Sequence, residues 1–230
     1  KTRLGDCRNI RKTGLAIQTI REGDELMRVE LSNGEDEFLM ATRNAKCIRF
    51  SEANVRATGR GGMGVIAMKL DEGDELVDMV KVQKGAQLLT VSENGMGKRS
   101  DEAEFSLQGR GGKGLIAMKL TERTGALACL KITVGDEDLI LMRDDGKVIR
   151  MPVAEISTYG RNTQGVKLMH VDDGTRIACV VVVPHQDEDE TPQEDELNAV
   201  QSISGGDEAD GVSDVSLDDE DPKDAPSDEE

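Results

Sequence analysis

Apolar positions along this chain fall in short runs of four to seven residues, separated by turn formers, and nowhere show helical spacing. In Gly64–Leu70 (GVIAMKL) the side chains alternate. Val65, Ala67 and Lys69 take one face, and Ile66, Met68 and Leu70 the other, the period of a strand. Asp71–Glu75 then reads as a turn, Leu76–Val82 as a second strand and Gln83-Lys84-Gly85 as another turn. Leu88–Val91 is a third strand, Asn94–Gly97 a hairpin-type turn, and Lys98–Ser100 a short fourth strand. The expectation is an all-β chain.

The same pattern recurs. GVIAMKL at Gly64 returns as GLIAMKL at Gly114, with looser copies at Gly14 (GLAIQTI) and Gly165 (GVKLMHV), at spacings of 50, 50 and 51 residues. The Glu22–Leu26 segment returns at Glu72–Leu76. Gly59-Arg60-Gly61-Gly62 returns at Gly109–Gly112 and, altered, as Gly160-Arg161-Asn162-Thr163. Four strands per period of ~50 residues is the pattern of a propeller-like array of four-stranded blades. Such units stack because none buries its apolar faces alone. Three whole repeats and a half repeat, over residues 1–183, predict about three and a half blades. Closed propellers have ~4–8, so the array is expected as an open arc, with an apolar face exposed where upstream blades would pack.

Charge divides the chain in two. The whole carries a formal −17. From Pro184 to Glu230 one Lys stands against 19 Asp and Glu, a net of −18; subtraction from the totals of 29 and 46 leaves 28 cations against 27 carboxylates in residues 1–183, a net of +1. Residues 184–230 are rich in Asp, Glu, Ser, Pro and Gly without apolar periodicity, so a disordered acidic tail is expected there. It would either solubilise the body or compete for its cations. No apolar run approaches the ~18 residues of a membrane span. The four cysteines form no C-x-x-C pair, and with two histidines no metal site is expected. Cys129 and Cys179 read as small core residues.

Basic residues recur in register. Arg60, Arg110 and Arg161 stand in the glycine loops; Arg49, Arg99 and Arg150 stand near the last strand of each repeat, with Lys98 and Lys147 beside two of them. Lys113 follows the second loop, and Lys69 matches Lys119, with His170 third. One or more cations per repeat trace a positive stripe. Glycine loops let backbone N–H groups approach phosphate oxygens without Cβ obstruction. Together they suit the backbone of a DNA duplex, held by charge and shape rather than by base reading. The alternative is that each loop is only an inter-blade turn and each Arg pairs within its own blade. Aromatics are 2% of the chain, too few for base-stacking platforms. There is no catalytic triad and no phosphate-loop motif. Asp36-Glu37 and Asp136–Asp138 read as hairpin tips, and Tyr159 as a packing or rim residue.

Three segments, Lys46–Arg56 (KCIRFSEANVR), Asn94–Ser100 (NGMGKRS) and Glu155–Val166 (EISTYGRNTQGV), resemble blade segments of the C-terminal domain of DNA gyrase A. The resemblance covers residues 1 to about 183. It implies a β-pinwheel in which neighbouring blades exchange strands, whose basic rim wraps duplex DNA in support of ATP-dependent negative supercoiling. It implies as partners the rest of gyrase A and gyrase B in a heterotetramer, and a bacterial cytoplasmic, nucleoid-associated setting. That family's box, Q-R-R-G-G-K-G, is matched with one change by Gln108-Gly109-Arg110-Gly111-Gly112-Lys113-Gly114, but in a later repeat than the family's first blade. The catalytic tyrosine, Mg²⁺ region and ATPase of the family lie in other parts of gyrase, so no cofactor is expected for this chain. Two alternatives remain: the matching domain of topoisomerase IV, and a propeller that scaffolds protein partners.

Overall fold

In the computed structural model, residues 1–185 are described. Among them no helix is long and apolar enough to cross a membrane. The disordered acidic tail expected from residue 184 lies, from residue 186 on, outside the described residues; Pro184 itself ends a strand.

Eleven strands fall within the described residues: β1 Glu37–Thr42, β2 Lys46–Ser51, β3 Leu76–Lys81, β4 Gln87–Ser92, β5 Met96–Asp101, β6 Leu115–Ile116, β7 Leu127–Thr133, β8 Glu137–Arg143, β9 Val148–Pro152, β10 Val166–Lys167 and β11 Ile177–Pro184. Short 3₁₀ turns follow β2, β5 and β9 at Glu52–Asn54, Glu102–Glu104 and Val153–Glu155. Each repeat contributes one tight hairpin: β1–β2, β4–β5 and β8–β9 are antiparallel neighbours.

The sheets do not coincide with the repeats. Their strand orders are β3-β1-β2-β6, β10-β5-β4-β7 and β11-β8-β9. Each of the first two hairpins therefore takes a long strand from the next repeat on one edge and a two-residue strand from the repeat after that on the other. All pairings between these strands are antiparallel, with Leu39 opposite Val80, Lys46 opposite Ile116 and Val166 opposite Gly97. The expected three and a half blades are thus two four-stranded sheets and one three-stranded sheet, since a whole blade is assembled from three successive repeats. The expected strand at Gly64–Leu70 is also corrected. Only two residues of its copies, Leu115–Ile116 and Val166–Lys167, join a sheet. Beyond those two residues each copy sends some side chains inward, the buried Ala117, Met118 and Met169, and leaves Lys119 and His170 exposed.

Burial explains why the strands read as continuous apolar runs. Leu39 on the first sheet packs with Leu88 on the second, while Leu89, one residue on, packs with Leu139 of the third. Successive side chains of one hairpin thus fill two different inter-sheet cores, as in sheets covered on both faces. Phe105 seals the first core, and Ile156, in the corresponding turn, seals the second.

The expected exposed face is present at the start of the array. Leu26, Met27, Val29 and Leu31 are 55–70% exposed. They match β3 at an offset of 50 residues but join no sheet. Val65 and Ile66, which match β6, are likewise exposed and unpaired. Cys129 is buried as expected, but Cys179 is exposed. It sits on β11, a sheet edge, and is not a core residue.

Candidate nucleic-acid interface

The three loops share one anchor, although Gly61 and Gly111 are left-handed (φ +78° and +82°) and the matching Asn162 is not. Each lies against the first segment of its own repeat, through the same backbone bond. Thr19 N–H donates to Gly62 O (3.3 Å), Lys69 N–H to Gly112 O (2.9 Å) and Lys119 N–H to Thr163 O (3.0 Å). A second bond ties the approach to the later loops to the hairpin of the repeat before: Gln108 N–H donates to Arg49 O and Tyr159 N–H to Arg99 O, both at 2.8 Å. Two glycines close the geometry. At Gly114, φ is +74° and a Cβ would lie 2.5 Å from Cys47 O. At Gly165, φ is +75° and a Cβ would run into Gly97 O. Only glycine fits where the two-residue strand starts against the hairpin.

These loops present three of the expected cations. Arg60 is exposed and pairs with no described residue. Arg110 is exposed, its guanidinium donating to Asn54 O (2.9 Å) and Ile66 O (3.1 Å). Arg161 donates to Ile116 O (3.0 Å), the register equivalent of the Ile66 contact. Carbonyl acceptors orient a guanidinium without cancelling its charge, so Arg110 and Arg161 stay available to an anion. Lys113 is 75% exposed and holds Asp71 only loosely, at 3.5 Å. Lys69 and Lys119 are exposed, and their backbones bond to the loops. Lys147 is exposed at the tip of the β8–β9 hairpin. In the box-like stretch, Gln108 and Gly109 lead into the loop, Gly111 N–H bonds to Ala67 O, and Gly112 O accepts from Lys69.

The second set of cations does other work. Arg49 donates to Glu37 (2.7 Å), to the carboxylate and carbonyl of Glu102 and to Phe105 O. Its pKa is raised, although burial opposes this, because Glu37 and Glu102 hold the charge. Arg99 repeats the arrangement one sheet on, donating to Ile156 O (2.6 Å) and Ala154 O (3.1 Å). Both are clamps from a hairpin to the next sheet's 3₁₀ turn. Arg150 pairs with Asp138 at 2.6 Å, just as Arg49 pairs with Glu37 across its own hairpin. As a DNA contact Arg49 is therefore corrected, because carboxylates and carbonyls of the array take up its donors; Arg99, held by carbonyls alone, and Arg150, 43% exposed with one carboxylate partner, stay open to an anion as Arg110 does. Lys98 is corrected too, because it is fully buried and cannot reach a ligand. Burial pushes its ammonium down to about 8.

Two buried groups escaped the register argument. Glu52 accepts hydrogen bonds from Gly34 N–H (2.7 Å), Asp36 N–H (2.9 Å), Ser32 and Lys1, and Arg143, 2% exposed, holds Asp145, Asp172 and His170 O. The signal for Arg143 was the break in its series, Thr42, Ser92, Arg143, in which a cation replaces two small hydroxyls. Asp136–Asp138 holds no cation site: Glu137 binds the amides of Val134 and Gly135, and Asp138 binds Arg150 and His185. Among the described residues no cluster of His, Cys, Asp and Glu could hold a metal. Tyr159 is exposed at the rim.

Compared with known proteins, the chain matches the family model described as DNA gyrase C-terminal domain, beta-propeller, over residues 1–33, 36–83, 86–128 and 137–182. It is 52% identical over 203 residues to the DNA gyrase A protein of Halalkalibacterium halodurans, covering 88% of this chain and 24% of that protein. It is 35% identical over 207 residues to the DNA gyrase A protein of Staphylococcus aureus, covering 89% of this chain and 23% of that protein. The chain thus spans about a quarter of the length of these curated relatives. Among solved structures, a DNA gyrase A C-terminal domain superposes with a TM-score of 0.69 at 26% identity, covering 75% of this chain and 59% of that one. The C-terminal domain of a DNA topoisomerase IV superposes at 0.76 with 20% identity, covering 89% and 63%, which is a likeness of fold.

Proposed function

The chain belongs to the DNA gyrase C-terminal domain family, and from that premise we propose that it binds duplex DNA along the loop-bearing rim of its blade array and bends it. In this reading it is the non-catalytic, DNA-wrapping portion of a gyrase A protein. It would act with the remainder of gyrase A and with gyrase B in an ATP-driven, cytoplasmic enzyme that introduces negative supercoils. The supporting observation is the threefold recurrence of the loop, tied by one equivalent backbone bond in each repeat and carrying Arg60, Arg110 and Arg161 at equivalent places, two of them oriented by equivalent carbonyls.

The mechanism follows from charge and spacing. Each loop offers a cation with glycines beside it, so a phosphate meets both charge and unobstructed backbone. Repetition along the array asks the duplex to follow it. The bending cost, of order 1–6 kcal/mol for 20–30 base pairs, is offset by contacts that a straight duplex cannot make. No base edge is read, so affinity should depend on salt and little on sequence.

The test is the salt dependence of duplex affinity. R60E/R110E/R161E should reduce the slope of log K against log[salt] by about 0.9 for each phosphate no longer held, close to 3 when all three arginines touch phosphate. An unchanged slope would place DNA elsewhere. A protein scaffold would show no salt-dependent DNA affinity at all.

A further inference from the structure

Beneath the second and third loops lies one residue of the second hairpin strand of the repeat before. Its register position is occupied in successive repeats by Ile48, Lys98 and Ile149. Loop and floor change together. Ile48, fully buried, lies under Gly109–Gly112, where a side chain on Gly112 would meet its Cδ1 at 3.6 Å. Under Gly160–Thr163 the floor is Lys98, also fully buried, and the position matching Gly112 is Thr163. Lys98 Nζ donates to Gly160 O (2.7 Å), Arg161 O (2.5 Å) and Thr163 Oγ1 (3.2 Å), one acceptor for each of its three N–H groups. Thr163 Oγ1 in turn donates to Gly160 O at 2.8 Å.

A buried ammonium is costly unless its donors are satisfied. Every acceptor on Lys98 comes from this loop, two of them carbonyls and none a carboxylate. Opening the loop would therefore strand a charge, whereas opening the loop over Ile48 would only expose an apolar side chain. The loop is pinned from its other sides by Lys119 N–H on Thr163 O and by Arg161 N–H on Glu104 (2.7 Å).

We propose that Lys98 is a positioning residue for Arg161, its buried ammonium fixing the Gly160–Thr163 loop so that this guanidinium meets the DNA phosphate backbone at a set place. This rests on the DNA-binding reading above. It assigns to one loop a rigid, charge-locked presentation that the glycine-only loops lack.

The experiment uses the full-length protein and a linear duplex. K98I installs the residue found at this register in the other two repeats. Hydrogen exchange at Lys119 and through 160–165 should rise at least tenfold, with β4 unchanged, and the salt slope should fall by about 0.9, one phosphate. K98I and R161A should be non-additive in DNA affinity, because one acts through the other. K98I/N162G/T163G, which recreates the Ile-under-glycine pairing, should recover loop protection. Should K98I unfold its sheet, T163A removes one acceptor without touching the core and should give the same local rise. Unchanged loop exchange in both variants, or additive effects of K98I and R161A, overturns the proposal. R161A alone with a wild-type salt slope would instead overturn the DNA reading of this loop, whatever the exchange shows.

Discussion

Gly64 and Gly114 occupy one register position and share a backbone conformation, φ +85° and +74°, yet differ in what surrounds them. At Gly64 the nearest atom to an added Cβ is the Gln18 side chain, at 3.8 Å. At Gly114 the Cβ would lie 2.5 Å from Cys47 O and 2.8 Å from its carbonyl carbon, backbone atoms that cannot swing aside. Left-handed backbone costs an alanine about 1–2 kcal/mol, and both variants bear it. The gain from restricting the unfolded chain is also common to both, and cancels. G114A alone must force β6 off β2, adding about 1–3 kcal/mol of overpacking and breaking the Lys46–Ile116 and Cys47–Leu115 pairs. G64A should thus destabilise by about 1 kcal/mol and G114A by about 3 or more. Urea unfolding, extrapolated linearly, resolves that gap, and hydrogen exchange at Ala117, whose N–H bonds Ala45 O, reports β6 directly. Equal destabilisation of the two variants would refute the strand exchange as described.

Other outcomes follow from single contacts. R49M strands Glu102, 7% exposed, and two carbonyls, so it should cost ~3 kcal/mol; R150A, whose guanidinium is 43% exposed, should cost much less in the same urea assay. Burial opposes the charge of Glu52, yet hydrogen bonds from Lys1, Ser32, Asp36 and Gly34 outweigh it and hold the pKa at about 2, below the usual 4.5. The folded state therefore binds the proton less readily than the unfolded one. The stability this supplies, up to ~3 kcal/mol, is complete above pH 4.5 and is lost as pH falls toward 2. E52Q should flatten that part of the pH–stability curve. Thiol reagents should label Cys179, exposed on β11, while Cys47 and Cys129, buried with pKa values pushed up to about 12, should react only on unfolding.

The repeats and their hairpins were legible because the first strand of each hairpin is largely apolar and two of the three turns carry a left-handed glycine, Gly95 and Gly146, with Ala45 in that place in the first. The assignment of strands to sheets was not legible. An offset of about 50 residues states that Leu76–Lys81 resembles Leu127–Thr133, not that the first joins β1 and the second β4. Nothing local distinguishes pairing within a repeat from pairing across it. The loop arginines were found by register, since exposure repeats when geometry repeats. Arg49 obeys the same register and was misread, because a clamp recurs as faithfully as a binding site. Lys98 was misread for the opposite reason. Its neighbours in register are isoleucines, and that mismatch was the sign of a core position rather than a rim one.

The way sheets borrow strands also orders events in time. The first sheet opens with Glu37 and is complete only when Ile116 reaches Lys46, 70 residues further along the chain. At a synthesis rate of about 5–20 residues per second, that interval is roughly 4–14 s. Throughout it the β1–β2 hairpin has an unpaired edge, able to accept any strand that comes within reach. Because the next repeat carries a near-copy of the awaited segment, Val65–Leu70 arrives first and competes for the same edge. Folding should therefore advance as a front trailing two repeats behind the ribosome, with the correct strand displacing an earlier near-twin. A pause in translation between residues 70 and 115 would prolong that competition.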